Sequence, residues 1–139
     1  MSKDALAVAL HFLKFRPRSV FEVEKKLKQK RILDSEIQKT ISVLKKNKLL
    51  DDQKFAKMWV ESRNNLKPSG SYVLKMELRK LGVAAQDIEE AMKEQDEESL
   101  AKQALEMKYR EREIEYEKKV GFLARRGFKT SVIYRVIKR

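Results

Sequence analysis

The side chains able to do chemistry in this sequence are cations. Arg16 and Arg18 precede a run of Lys25, Lys26, Lys28, Lys30 and Arg31, and a second group, Lys118, Lys119, Arg125 and Arg126, stands near the other end. Guanidinium and ammonium groups clustered along a helix hold phosphates and carboxylates, so the chemistry on offer is recognition of a polyanion or of an acidic protein surface. Cations of this density also serve as an ordinary solvated face. Recurrence raises them above that, because both groups fall on the equivalent segment of an internal repeat.

Reactive centres are missing by contrast. The chain has one histidine and no cysteine. His11 lies in an apolar helical stretch, where a core or boundary position is expected. The carboxylate pairs Asp51-Asp52, Glu89-Glu90 and Glu97-Glu98 are sequence neighbours that point different ways on a helix, so they suit capping rather than acid–base work. Gly70, Gly82, Gly121 and Gly127 are scattered singly and form no phosphate loop. Metal-ligand spacing is absent. The expectation is a protein without catalytic residues, cofactor or metal.

The elements that must position the cations follow from a threefold pattern. Leu27, Leu78 and Leu123 each open one ladder, with an apolar residue five positions on (Ile32, Val83, Phe128), an isoleucine ten on (Ile37, Ile88, Ile133) and Ile41, Met92 or Ile137 fourteen on. An alanine-containing apolar pair precedes each ladder: Leu6-Ala7, Phe55-Ala56 and Leu100-Ala101. The alanine lies 20, 22 and 22 residues before the ladder leucine. Self-similarity on this scale is the signature of stacked helical units. The reading is all-α, with three tandem three-helix repeats in an elongated array: residues 1–50, 51–95 and 96–139. Units of roughly 45 residues are near the size at which isolated folding fails, and stacking supplies the missing burial.

Helix signals agree with the repeat. Asp4 is placed to cap a helix ending before Pro17. Ser19-Val20-Phe21-Glu22 reads as a capping box. Asp34 or Ser35 should cap the third helix, and Asp51-Asp52 the fourth. The segment from Asn64 to Gly70 is the clearest break, with Ser69 or Ser71 starting the next helix. No glycine or proline divides residues 97–120, and the repeat predicts a bend near Arg112 to Glu117. Thr130 or Ser131 should cap the last helix. Gly82 and Gly127 fall four residues after their ladder leucine, where a left-handed residue ends a helix; Arg31 occupies that place in the first unit at a cost of about 1–2 kcal/mol if it adopts the same conformation. Phe55, Trp59, Phe122 and Phe128 fit the core, while Tyr72, Tyr109 and Tyr116 fit its boundary.

Charge is uneven along the repeat. Lys and Arg total 33 against 21 Asp and Glu, a net +12. Residues 1–50 carry 13 basic and 5 acidic groups, 51–95 carry 8 of each, and 96–139 carry 12 and 8. Two basic ends flank a neutral middle. The absence of cysteine fits a reducing cytoplasm. The apolar stretch from Ala5 to Leu13 is too short to span a membrane and lacks a cleavage pattern. A cytoplasmic protein without a membrane partner is expected.

Three segments in order, Arg18-Ser19-Val20-Phe21-Glu22, Leu50-Asp51-Asp52 leading to Phe55-Ala56, and Arg126-Gly127-Phe128, resemble the hallmark segments of RecX, the bacterial regulator of the RecA recombinase. The resemblance covers Ala5 to Ile137; Val23 stands where the family usually has leucine. It implies a curved array of three-helix modules that binds within the groove of a RecA filament on single-stranded DNA, and a monomer is expected. It also implies that RecA's ATP hydrolysis, strand exchange and co-protease activity are modulated, mostly by inhibition. Arg16, Arg18, Lys25, Lys26, Lys28, Lys30 and Arg31 would anchor one end of such a rod, and Lys118, Lys119, Arg125 and Arg126 the other. The alternative is a helical protein that contacts DNA directly through its basic faces. Base reading in helix-turn-helix fashion is poorly supported, since only Gln38, Lys39, Ser42 and Lys45 of a third helix could reach base edges.

Overall fold

The computed structural model describes residues 4–137; the first three and last two residues of the predicted outer units lie outside them. Among the described residues the chain is all-α. Its helices are α1 (Ala5–Phe15), α2 (Val20–Gln29), α3 (Asp34–Lys46), α4 (Asp52–Leu66), α5 (Ser71–Lys80), α6 (Ala85–Met92), α7 (Glu97–Tyr109), α8 (Tyr116–Arg125) and α9 (Thr130–Val136). Three separate apolar clusters form, one for each successive helix triplet. In each, the ladder leucine is fully buried (Leu27, Leu78, Leu123) beside its isoleucine (Ile37, Ile88, Ile133). Burying each such leucine contributes about 2 kcal/mol. The accessible surface, 9734 Å², exceeds the roughly 7,500 Å² of a compact monomer of this mass. A string of small cores, rather than one large one, has that consequence.

The ladder's first rung is a helix-ending motif written three times. Ile32, Val83 and Phe128 donate their N–H groups to the carbonyls of Leu27, Leu78 and Leu123 at 3.1–3.2 Å. The preceding residues, Arg31, Gly82 and Gly127, donate to Lys28, Arg79 and Ala124 at 2.9–3.0 Å. These paired bonds define a Schellman stop, which needs a left-handed residue and an apolar contact across the turn. The left-handed residue is Gly82 (φ 76°), Gly127 (φ 88°) and, with a side chain, Arg31 (φ 61°).

The units join through a seam that is also repeated. Across the first seam the Ser19 hydroxyl donates to the Leu81 carbonyl at 2.6 Å, and the Val20 N–H donates to Asp52 at 2.8 Å. Across the second, the Gly70 N–H donates to the Arg126 carbonyl at 2.7 Å, and the Ser71 N–H donates to Glu97 at 2.8 Å. Thus the start of one unit's second helix docks on the end of the next unit's second helix, and an acid from the next unit's first helix caps it. Close approach explains the glycines. A Cβ on Gly82 would collide with Phe21, and one on Gly127 would come within 2.6 Å of Val73. Among the described residues no unit docks on the α2 exit, so Arg31 can keep its side chain there.

Several local expectations need correction. Asp4, Ser19 and Asp51 cap their helices with side-chain oxygens, and Ser19 with Glu22 completes the capping box. However, α3 and α9 begin after Leu33 and Lys129, which give no side-chain cap, so Asp34 and Thr130 are first-turn residues instead, whereas α5 starts at Ser71 as expected. The bend in residues 97–120 falls at 110–115, where Arg110 is left-handed (φ 55°). Tyr109 is buried with its ring 5.4 Å from Phe122 rather than at the boundary. Trp59 is only partly buried and donates its Nε1–H to Glu77 at 2.9 Å. His11 is exposed, edge-on to Phe15.

Candidate functional site

The predicted N-terminal cations divide into two groups. Arg16 and Arg18 are structural. Arg16 pairs with Glu22, donates to the Pro17 carbonyl at 2.8 Å and lies 5.8 Å from the Trp59 ring of the next unit. Arg18 stacks on Phe12 at 3.9 Å and lies 3.8 Å from Glu22. Burial, then the Arg16 charge, lowers the Arg18 pKa, with Glu22 opposing. Glu22 therefore holds two guanidinium groups and caps α2, which leaves little free charge at this corner. Lys25, Lys28, Lys30 and Arg31 are exposed, and Lys26 sits 5.4 Å from the Phe12 ring. Lys26 and Lys30 join Arg18 along a shallow cleft of about 680 Å³ beside His11 and Phe12.

The C-terminal group is more convergent. Lys118, Arg125 and Arg126 line a cleft of about 630 Å³ together with Lys67, Lys108 and Arg112. Six cations meet there over the Tyr109 and Phe122 rings, and no carboxylate lines the cleft. Lys119 is not among its walls. Two of the guanidinium groups are set by backbone. Arg126 donates to the Pro68 carbonyl at 3.0 Å across the seam and lies 4.7 Å from the Phe122 ring. Arg112 donates to the Tyr109 and Lys108 carbonyls at 3.1 and 3.2 Å, using the open end of α7. Burial and the nearby Arg63 charge lower the Arg126 pKa, the direction expected where cations are gathered without a counter-ion. Arg63 itself is matched by Glu77 at 2.9 Å. Hydrogen bonding to Glu77 raises the Arg63 pKa. Burial would raise Glu77, but the bonds from Arg63 and Trp59 outweigh it and hold its carboxyl below the usual range.

Sequence reading missed Lys67, Lys108 and Arg112. Lys67 lies in the break before α5, and Arg112 in the turn between α7 and α8. Neither carries a local signal of its own; the left-handed Arg110 folds α8 back along α7 and creates the cleft. Elsewhere, burial raises Asp52 above the usual carboxylate range, with the Val20 N–H bond opposing. Among the described residues no group of three or more His, Cys, Asp or Glu could hold a metal. No described helix is long and apolar enough to cross a membrane.

Comparison with known proteins places the fold and seams in context. Residues 5–44 match the family model for the first three-helix domain of RecX, and residues 51–92 that for the second. A regulatory protein RecX of Geobacillus sp. (strain WCH70) is 36% identical over 93% of this chain, which spans 51% of that relative. Relatives of the same name from Prosthecochloris aestuarii and Chlorobium phaeobacteroides are 40% and 33% identical over 68% and 91% of the chain, which spans 63% and 86% of their lengths. The chain thus spans only about half to two thirds of the first two. The crystal structure of RecX from Lactobacillus salivarius superposes with a TM-score of 0.82, covering 95% of this chain and 91% of that one at 24% identity. Two matched three-helix domains in order, with relatives above 30% identity across most of the sequence, establish that the chain belongs to the RecX family of regulatory proteins.

Proposed function

We propose that this chain regulates RecA by binding its nucleoprotein filament on single-stranded DNA, and that it restrains ATP hydrolysis, strand exchange and co-protease activity. In this reading it acts as a monomeric, non-catalytic rod of three units, 1–50, 51–95 and 96–139. The observation that carries it, beside family membership, is the cleft of Lys67, Lys108, Arg112, Lys118, Arg125 and Arg126, whose charged walls are all cationic. A cleft of that kind, set on a rigid array, suits either filament phosphates or acidic RecA side chains. Lys25, Lys26, Lys28, Lys30 and Arg31 supply a second, looser anchor, and two modest contacts on one rod reinforce each other. The test is RecA's ATPase on single-stranded DNA with increasing protein. Dose-dependent inhibition that fails when Lys67, Lys118 and Arg125 are changed to glutamate supports the reading; an unaffected ATPase rejects it.

The same cleft favours a second reading, direct DNA binding without RecA. Affinity for single-stranded and duplex DNA, measured across salt, separates the two. A steep salt slope with no sequence preference marks phosphate contact, and failure to bind DNA alone leaves the filament as the target.

A further inference from the structure

The first seam carries a surface that the second lacks. Between the end of α1, the 47–51 turn and α4 runs a groove of about 660 Å³. Four exposed apolar side chains stand in its walls: Phe15 is 68% exposed, Leu49 53%, Leu10 42% and Met58 40%. The repeat provides an internal control for whether the fold needs them. The seam register, with Gly70 in the place of Ser19 and Arg126 in that of Leu81, aligns α1 with α4 at an offset of 51 residues and α4 with α7 at 45, so Glu61, Glu94 and Gln103 stand for Leu10, Leu49 and Met58. These three, with Gln95 and Asp96, line the corresponding groove of the second seam. That groove is closed by polar bonds: Asn64 donates to Gln95 at 2.9 Å, and Gln95 to the Ser69 carbonyl at 3.0 Å. The architecture therefore accepts polar residues at these positions, and exposed apolar ones in the first seam are not a folding requirement.

Charge at the first groove is one-sided. Lys14, Lys48 and Lys54 line it, and none makes an ion pair with a described residue. Arg16 and Arg18 add charge already shared with Glu22. Asp51 is the one acid in the lining, and its carboxylate accepts from the Lys54 N–H at 3.2 Å as the α4 cap. Lys48 is left-handed (φ 60°), a conformation that side chains adopt at a cost, in the turn that presents Leu49. Apolar anchors rimmed by free ammonium groups select an acidic segment with apolar side chains on one face.

The geometry points to this groove as a docking site for an acidic, amphipathic segment of a partner protein, its apolar face on Leu10, Leu49 and Met58 and its carboxylates on Lys14, Lys48 and Lys54. The site is independent of the cationic cleft and of whether RecA is the partner. The probe is a fluorescent synthetic helical peptide with leucines on one face and glutamates on the other, titrated against the full chain by anisotropy. Saturable binding is expected. It should weaken about tenfold or more, as expected on removing a few apolar anchors, in a Leu10→Gln, Leu49→Gln, Met58→Gln variant. The second seam shows that such residues are compatible with this fold, and circular dichroism checks that helicity is kept. A Lys14→Gln, Lys48→Gln, Lys54→Gln variant should weaken it comparably. The proposal is overturned if the wild-type chain does not bind the peptide, if either variant binds it unchanged, or if a serine-for-leucine peptide binds equally well. Self-association of the wild-type chain that the apolar variant abolishes would overturn it too, by making a second copy the occupant.

Discussion

The Ser19 hydroxyl donates to the Leu81 carbonyl 62 residues away, while the same oxygen accepts from the Glu22 N–H at 3.2 Å. One buried serine thus starts α2 and fastens it to the end of α5. Replacement by alanine removes a helix cap and leaves a seam carbonyl without its donor. Ser19→Ala should cost about 2 kcal/mol, the sum of one cap and one hydrogen bond. Urea unfolding followed by circular dichroism would show it as a lower midpoint.

The left-handed helix ends at Arg31 and Gly82 should respond differently to substitution. Arg31→Gly relieves backbone strain but frees the unfolded chain, so stability should stay within about 1 kcal/mol of wild type. Gly82→Arg meets both the conformational penalty and the Phe21 side chain and should lose about 3 kcal/mol or more. Thermal melts of the two variants beside the parent would decide it. Similar losses at both positions would show that neighbour packing is not what requires glycine.

Glu77 gives the protein an acid-sensitive clasp. Its folded pKa is depressed, so its stabilising effect is present above the unfolded carboxyl pKa and is lost as pH falls through the folded value. Glu77→Gln should therefore be less stable than wild type near neutral pH, and the gap should narrow as the solution is made acidic. Denaturation midpoints across a pH series give the comparison, and a gap independent of pH would refute it.

Charge reversal should separate the two cationic regions. Lys67→Glu or Lys118→Glu opposes an otherwise uniform cleft and should weaken polyanion binding, with the salt slope falling by about 1 for each phosphate no longer engaged. Reversal of Lys26, Lys28 and Arg31 should weaken the proposed inhibition of RecA's DNA-dependent ATPase with helicity intact. Arg18→Glu should instead lower stability, because Arg18 packs on Phe12 beside Glu22. Binding isotherms at several salt concentrations, read beside melting curves, distinguish a binding defect from a folding defect.

Much of the fold was written locally. The ladder leucines, the residue five positions on and the left-handed stop are parts of one short motif, so its repetition was visible without any long-range information. The Ser19 capping box and the Asp51 cap were equally local. What stayed hidden depends on contacts between units. Gly70 precedes α5 without a side-chain cap because glycine has no side chain, and a Cβ there would collide with the Gly127 backbone of the next unit. Arg16 and Arg18 looked like surface charge because the sequence does not reveal that Glu22, already committed to the cap, also reaches both. Arg112 joined the cationic cleft only because a left-handed turn without glycine reverses the chain.

Both seams close through the same two places on successive units, so the molecule has a step that can be counted. A protein built this way could gain reach by whole strides without inventing a new contact. The added unit would need only a glycine where its second helix stops and an acid at the start of its first.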